Sequence, residues 1–211
     1  MVSETWKIYE ILRDKIIWLE LLPESVLNID EICKAIGVSR PLIRETLSLL
    51  QAEGWVQRHG SRFVVTPLSL ARFSEIKEMR LISEVRANVL AMERLTSEEA
   101  ETLKEISEEV RRTVEHSSRK QIVELDLKFH TTLYRATKNK VLAQHLEWLM
   151  RHFVRFVLSS YPEFSFSAQF GETTLDKVDI IQAVLDQDEV RLIDLSTRHI
   201  ESAVDQIRRS L

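Results

Sequence analysis

The sequence predicts a mainly α-helical protein with a small N-terminal domain and a larger C-terminal bundle of antiparallel helices. Only four glycines and four prolines occur among 211 residues, so turns are few and long helices are favoured. Apolar residues recur at helical spacing through most of the chain. Two short β-rich runs interrupt this pattern between residues 55 and 65.

The first 68 residues begin with two predicted helices. The first carries apolar residues at helical intervals from Ile8 and ends near Leu21, because the residue before Pro23 is pushed out of the helical region. Asn28 is predicted to cap the second helix, with Glu31 three residues later completing a capping box.

A third predicted helix and a hairpin complete this domain. A turn at Gly37 separates the second helix from the third, which is capped by Ser39 and ends at Gly54. Two β-rich runs, 55–58 and 62–65, then form a hairpin around a glycine-containing turn. Two helices joined by a short turn with glycine are typical of a helix-turn-helix, whose second helix lies in the major groove of DNA.

Residues 1–68 are therefore predicted to be a winged helix-turn-helix domain that binds double-stranded DNA, with the hairpin as its wing. The third helix and the wing are locally rich in arginine, which suits both phosphate and guanine-edge contacts. The alternative is a small helical domain whose arginines are only solvated. The predicted DNA-binding residues lie on the third helix and the wing: Ser39, Arg40, Arg44, Ser48, Arg58, His59, Gly60 and Arg62.

Residues 75–211 are predicted to form an antiparallel all-helical bundle, after a linker at 69–74. Six stretches with helical apolar spacing and mostly short connections carry this prediction: Phe73–Leu95, Ser97–Glu115, Gln121–Thr137, Val141–Leu158, Thr174–Leu185 and Glu189–Leu211. The aromatic-rich segment 159–172 is interpreted as a loop. It either packs onto the bundle or closes over a ligand cavity as a lid.

The composition bounds the class of protein. A net charge of −4 argues against a chain that coats nucleic acid indiscriminately, and it leaves site-specific binding open. The single cysteine, Cys33, favours a reducing cytoplasm, and the charged N-terminus carries no apolar signal segment. No apolar run approaches the length of a membrane-spanning helix. We therefore expect a cytoplasmic protein with no membrane partner.

One pair of side chains in the bundle has the spacing of metal ligands. Asp126 and His130 are four residues apart on a predicted helix, so both side chains point the same way. A carboxylate and an imidazole in this arrangement can hold one divalent metal. The spacing alone is weak evidence, because a packed or solvated histidine gives the same pattern.

The stretch GVSRPLIRETLSLLQAEGWVQRHGSRFVV resembles the winged helix-turn-helix of GntR-type bacterial repressors. It keeps the Gly-Val-Ser-Arg start and Arg44, but it places Pro41 one position early. Asp30 stands where many relatives carry an arginine that helps to hold DNA. The resemblance therefore leaves Arg40, Arg44 and the wing as the implied DNA contacts.

The predicted bundle resembles the FCD domain of the FadR-like subfamily of these regulators, so the resemblance covers the chain almost end to end. Three segments carry it: Arg80 and Glu84 in RLISE, Asp126 and His130 in DLKFH, and His199 after Thr197-Arg198. Metal-binding FCD domains use one aspartate and three histidines, and the resemblance assigns Asp126, His130 and His199 to three of these positions. Lys177 stands where the remaining histidine is expected.

Two alternatives for this site remain open, because a protonated lysine has no lone pair to offer a metal. In the first, Asp126, His130 and His199 bind one divalent metal, Zn or Ni, with water or an effector carboxylate completing its shell. In the second, Lys177 replaces the charge of the metal and, with Arg80, binds an acidic effector directly.

The resemblance implies a ligand-responsive transcription regulator and not an enzyme. It would bind a pseudo-palindromic operator as a homodimer and sense a small-molecule effector, expected to be a carboxylate. A second hypothesis is a metal-dependent hydrolase that uses Asp126, His130 and His199, for which the sequence offers no convincing general base or nucleophile. A third is an interaction scaffold whose bundle only dimerises.

Overall fold

The computed structural model describes the backbone of residues 3–113, 118–160 and 166–210, and the side chains of 3–112, 118–160 and 175–202. Packing divides the chain into two compact units, Met1–Ser69 and Leu70–Leu211. Among the described helices, none is long and apolar enough to cross a bilayer. The fold is mainly helical with one small antiparallel sheet, which confirms the predicted fold class.

The first unit contains three helices and a three-stranded antiparallel sheet. Its elements in chain order are α1 Glu4–Ile17, β1 Val26–Leu27, α2 Ile29–Ile36, α3 Arg40–Ala52, β2 Val56–His59 and β3 Arg62–Val65. The strand order is β1-β3-β2, so the predicted hairpin is present and gains a third strand at its edge. The sequence did not indicate β1, because a strand of two residues is too short to show alternation.

Local signals set the helix boundaries of this unit. Helix α1 ends at Ile17, earlier than the predicted end near Leu21, because Leu19 takes a left-handed conformation with φ of 58°. The Asn28 side chain accepts hydrogen bonds from the first turn of α2, as predicted, and Gly37 ends that helix with φ of 81°. Ser39 occupies the N-cap position of α3, but its side chain makes no capping hydrogen bond.

One face of α3 is buried within the first unit, and the opposite face is exposed to solvent. Ile43, Leu47 and Leu50 are fully buried and lie on the side of α3 that packs against α1. Burial of side chains of this size stabilises a domain by about 1.5–3 kcal/mol each. The turn after α3 is held by Glu53, which accepts hydrogen bonds from the Tyr9 hydroxyl and, at 3.1 Å, from Trp55 Nε1. These contacts fix where the wing begins.

The described part of the second unit consists of six helices. They are α4 Leu70–Arg94, α5 Ser97–Thr113, α6 Arg119–Ala136, α7 Lys140–Ser160, α8 Phe166–Leu185 and α9 Glu189–Ser210. Each contains one of the six predicted helical stretches or most of it. Helix α4 begins at Leu70, so residues 70–74 form its first turns, and their prediction as part of a linker is wrong.

The prediction of a loop at 159–172 is also wrong for those residues of the segment that the structure describes. Ser159 and Ser160 end α7, and residues 166–172 begin α8. Gly171 is the one glycine in that part of α8, and a single internal glycine costs about 1 kcal/mol, which is too little to exclude a helix. The segment 161–165 and the side chains of 166–174 lie outside the described residues. The two interpretations of their aromatic rings, packing onto the bundle or closing over a cavity, therefore stay predictions.

The helices of the second unit surround an apolar core. Leu103 and Ile106 of α5, Phe129 of α6, and Ile181 and Val184 of α8 are almost completely buried in it. Helix α4 packs against α6, α7 and α9. Hydrogen bonds join Asn88 to Ser196 and Gln187 to the Met92 carbonyl, both at 3.0 Å, which shows that α4 and α9 run antiparallel. This packing brings α4, α6, α8 and α9 around one buried polar cluster.

Candidate nucleic-acid interface and buried polar site

The exposed face of α3 carries the side chains that the sequence predicts to contact DNA. Arg40, Arg44 and Ser48 are exposed on the side opposite the buried leucines, and Ser39 is exposed at the start of the helix. A cleft of about 340 Å³ separates this face from α2 and the wing, and Asp30, Arg40, Arg44 and Arg62 line it together with shorter side chains. The structure thus brings arginines of α3 and of the wing to one concave surface.

The wing presents the other predicted contacts. Arg58, His59, Gly60 and Arg62 are all exposed, and the strands meet through the pairs Arg58 with Phe63 and His59 with Arg62. Gly60 has a φ of 61°, which the tight two-residue turn requires and which glycine adopts without strain. Arg58 lies over the Phe63 ring, with its guanidinium carbon 5.6 Å from the centroid. Arg58 and His59 do not line the cleft.

Arg40 differs from the other arginines of this surface because it is ion-paired. Its Nε and Nη2 atoms donate to the two carboxylate oxygens of Asp30 on α2. Hydrogen bonding to Asp30 and the charge of its carboxylate raise the pKa of the Arg40 guanidinium above its usual value. The sequence marked Asp30 as a departure from relatives, but a pairing across ten residues could not be inferred before α2 and α3 were placed.

Six ionisable side chains form a buried cluster in the second unit. They come from four helices and are at most 4% exposed: Arg80 and Glu84 on α4, Asp126 and His130 on α6, Lys177 on α8, and His199 on α9. The fold brings together the five residues that the sequence singled out for a metal or an effector, Arg80, Asp126, His130, Lys177 and His199, and adds Glu84 to them. Burying so many charges is unfavourable unless each is compensated.

Compensation is provided by ion pairs within the cluster. Arg80 donates to both carboxylate oxygens of Glu84, at 2.7 and 3.1 Å, and its guanidinium carbon lies 4.3 Å from the Phe153 ring centroid. Lys177 Nζ lies 2.8 Å from Asp126 Oδ1. Burial opposes the charge on each carboxylate, but Arg80 and Lys177 outweigh it and hold the pKa values of Glu84 and Asp126 well below their usual range.

The two histidines have opposite electrostatic environments. His130 Nδ1 lies 3.0 Å from Glu84 Oε1, and His130 Nε2 lies 3.6 Å from Asp126 Oδ1. Burial lowers the pKa of His130, but the two carboxylates outweigh burial and raise the pKa above its ordinary value. Burial lowers the pKa of His199 to about 4, since its nearest carboxylate, Asp176, lies 3.5 Å away and is half-exposed. His130 therefore favours the protonated form, and His199 the neutral form.

The arrangement does not fit a metal ion as it stands. The rings of His130 and His199 are 5.7 Å apart between centroids, and Asp126 lies beside His130, so three potential ligands are neighbours. However, the Lys177 ammonium contacts the same carboxylate that a metal would need, and an ammonium repels a cation. Among the described residues, no group of three or more His, Cys, Asp or Glu side chains is arranged to hold a metal.

Sequence reasoning missed two neighbours of this cluster. The Tyr134 hydroxyl lies 3.4 Å from His130 Nδ1, and Phe153 covers Arg80. Tyr134 follows His130 by four residues on a helix, so its position on the same face could have been inferred. No sequence signal connects Phe153 with Arg80, because their contact depends on the packing of α7 against α4.

Comparison with known proteins relates both units to one group of regulators. Residues 5–65 match the family of bacterial regulatory proteins called gntR, and residues 75–202 match the FCD domain. The regulator named YdhC from Bacillus subtilis (strain 168) is 30% identical over 141 residues, which are 64% of this chain and 62% of YdhC. The regulator McbR from Escherichia coli (strain K12) is 24% identical over 149 residues, or 70% of this chain and 67% of McbR.

Solved structures share the complete fold. The structure of E. coli McbR/YncC superposes with a TM-score of 0.87 at 20% identity and covers 99% of both chains. A GntR regulator from Rhodococcus sp. RHA1 superposes with a TM-score of 0.80 at 21% identity over the full length of both chains. At these identities the similarity establishes the fold and not a shared ligand.

The two matched families together account for most of the chain, and the curated relatives are transcription regulators. This decides against the metal-dependent hydrolase that the Asp126, His130 and His199 cluster brought into consideration. The chain belongs to the GntR family of bacterial transcription regulators, with a DNA-binding N-terminal domain and an effector-binding FCD domain.

Proposed function

We propose that the protein acts in the cytoplasm as a homodimer on a pseudo-palindromic operator and responds to a small carboxylate without using a metal. The DNA face would be the exposed side of α3 together with the wing, which present Arg40, Arg44 and Arg62 to one cleft. A pair of such faces related by two-fold symmetry fits an operator of two half-sites. Apolar side chains on α4 support self-association, because Met79 and Ile82 lie three residues apart and are 39% and 65% exposed.

Replacing Arg44 with alanine is expected to weaken operator binding by roughly 1–3 kcal/mol, the usual contribution of an arginine that contacts a base edge. Arg44 is exposed at the cleft and forms no ion pair within the described part of the chain, so its donors are available to DNA. The measurement is a fluorescence anisotropy titration of DNA from upstream of the protein's own coding sequence, with two chains expected per operator.

A matched control for this substitution lies on the second domain. Arg191→Ala removes another exposed arginine, from α9, where Arg191 pairs with Asp179 at 3.3 Å, and should leave DNA affinity unchanged. If Arg44→Ala bound every DNA fragment as tightly as the unmodified protein, the proposed DNA face would be wrong.

The observation that carries the metal-free effector site is the buried salt bridge between Lys177 and Asp126. An ammonium at 2.8 Å from the carboxylate already supplies the positive charge that a metal would otherwise contribute. It does so from α8, on a side chain that is completely buried. The site would therefore be complete as a cationic pocket without any ion from solution.

The charge balance of the cluster favours an anionic ligand. Arg80 and Lys177 are matched by Glu84 and Asp126, so protonation of His130 leaves one positive charge in excess. His130 Nε2 and His199 Nδ1 are buried and have no hydrogen-bond partner among the described residues. A carboxylate would supply one negative charge and two acceptor oxygens to these groups. This is the chemical class that the cluster fits best.

A carboxylate that binds here should raise the melting temperature of the second domain. At about a hundred times its dissociation constant, a ligand stabilises the folded state by about 2.7 kcal/mol. Short mono-, di- and tricarboxylates, including acetate, succinate and citrate, would be screened by differential scanning fluorimetry on the full chain. The neutral amides acetamide and succinamide are the matched controls. A shift of equal size with the amides, or none with any carboxylate, would contradict the proposal.

A further inference from the structure

The first turn of α3 is held against a carboxylate from the neighbouring helix. Asp30 lies in the first turn of α2 and accepts hydrogen bonds from Arg40 Nε on one oxygen and from Nη2 on the other. This two-point geometry is also the one by which an arginine binds a phosphate group. Asp30 therefore occupies the same donors that Arg40 would offer to the backbone of DNA.

The surroundings of this pair show that it is specific to Arg40. The cleft between α2, α3 and the wing is lined by three arginines, and Asp30 is the one carboxylate among its described lining residues. Neither Arg44 nor Arg62 forms an ion pair with any residue that the structure describes. One of three cationic groups at the cleft is thus neutralised within the protein, and the other two are not.

The pair is strong enough to compete with DNA but not to exclude it. The Arg40 and Asp30 side chains are 66% and 50% exposed, so water screens their attraction and a phosphate can reach the guanidinium. Exposed ion pairs contribute little to stability, so replacing Asp30 by a phosphate at Arg40 costs the fold little. The pairing with Asp30 does affect DNA affinity. An arginine that is free to contact a phosphate releases condensed counterions when it binds, and this release favours binding.

We propose that Asp30 competes with a DNA phosphate for Arg40 and so lowers the affinity of this regulator for DNA of any sequence. The inference rests on the DNA face proposed above, since it takes Arg40 as one of its phosphate contacts. Base-edge contacts by other side chains are unaffected by the competition. Asp30 therefore lowers the affinity for unrelated DNA and for the operator by about the same factor, because a phosphate contact carries no sequence information.

The test is the salt dependence of DNA binding by Asp30→Asn, which removes the charge and nearly preserves the shape of the side chain. Freed from Asp30, Arg40 should neutralise one more phosphate and steepen the plot of log affinity against log salt concentration by about 0.9. Affinity for a duplex of unrelated sequence should rise roughly tenfold at about 0.1 M salt, as expected for one added contact. Both quantities come from anisotropy titrations of the full chain at several salt concentrations.

Two controls separate competition for Arg40 from simple loss of a negative charge. Glu31→Gln removes a carboxylate from the same turn of α2, where Glu31 accepts a hydrogen bond from Asn28 Nδ2 at 2.8 Å, and glutamine can keep that bond. This variant should leave the salt slope unchanged. In an Arg40→Gln background, Asp30→Asn should have no effect on the slope. Melting temperatures check that each variant folds, and Asp30→Ser is a second substitution if asparagine disturbs α2.

The outcomes distinguish this inference from the proposed DNA face. If Arg40→Gln weakens binding while Asp30→Asn and Asp30→Ser change neither slope nor affinity, competition by Asp30 is overturned and the DNA face stands. If the gain from Asp30→Asn persists without Arg40, Asp30 acts by general repulsion and the inference is again overturned. If Arg40→Gln leaves DNA binding unaltered, the assignment of Arg40 to the DNA face is itself wrong.

Discussion

Replacing Lys177 with methionine is expected to lower the free energy of unfolding of the second domain by about 3–5 kcal/mol, the usual effect of removing one partner of a buried ion pair. Methionine fills a similar volume, so the loss reflects charge and not packing. The substitution leaves the Asp126 carboxylate inside the bundle, 4% exposed on its side chain, without the ammonium that compensates it. Urea denaturation of the full chain, followed by a probe of the second domain, measures the difference.

An exposed ion pair in the same domain provides the control. Lys128 of α6 pairs with Glu109 of α5 at 3.1 Å, and both side chains are about half-exposed. Lys128→Met should change the free energy of unfolding by less than about 1 kcal/mol. Adding Asp126→Asn to Lys177→Met should restore much of the lost stability, because the side chain that lost its ammonium partner then carries no charge. A loss for Lys177→Met no larger than that for Lys128→Met would mean that the buried pair contributes little.

The loss should also depend on pH in a defined direction. In the unmodified protein Lys177 and His130 outweigh burial and hold the pKa of Asp126 below its usual range. Asp126 therefore stabilises the fold above its unfolded pKa, and this contribution is lost as pH falls through the lower, folded pKa. Without Lys177, the carboxylate is unfavourable only while it is ionised. Because the unfolded pKa of Asp126 is the same in both proteins, the difference between Lys177→Met and the unmodified protein should begin to shrink as pH falls through the folded pKa of Asp126 in the variant, which loss of the ammonium raises.

The helical pattern of the chain made most of the fold predictable. Six apolar stretches with helical spacing became six helices, and the capping residue Asn28 and the terminating Gly37 lie where the sequence placed them. The errors concern elements that depend on tertiary packing. The strand β1 has two residues and exists because it pairs with β3, and the second turn of α8 contains a glycine that the helix tolerates.

The buried cluster shows which part of a site a sequence can reveal. The four-residue spacing predicted that Asp126 and His130 share a helix face, and both side chains do belong to the buried cluster. Lys177 was recognised as an exception to a family pattern, but its partner was not predictable, since Asp126 precedes Lys177 by 51 residues and lies on a different helix. The same limit applies to Arg40 and Asp30, whose pairing depends on the angle at which two helices meet. Residue types can be read from the chain, whereas their pairing requires the fold.

The substitution Lys177→His is expected to convert the cluster into a metal site. His130 is already oriented for one, because Glu84 holds its Nδ1 at 3.0 Å and leaves Nε2 beside Asp126, the arrangement in which a second carboxylate orients a metal-binding imidazole. Two ligands on a tetrahedral zinc lie about 3.4 Å apart. The 3.6 Å between His130 Nε2 and Asp126 Oδ1 is close to that distance. With the ammonium gone, the remaining competitor of a cation in the donor set is the proton on His130, which metal binding would displace.

The measurement is metal content by mass spectrometry after dialysis, with the melting temperature as a second readout. The variant should retain about one Zn or Ni per chain and should melt higher when metal is added, as expected for a structural site with four ligands. The unmodified protein should do neither, and adding Asp126→Asn to the variant should abolish both effects. A stoichiometric ion in the unmodified protein would overturn the metal-free site. Metal binding only after Lys177 is replaced would show that this side chain alone determines whether the cluster takes its positive charge from the protein or from solution.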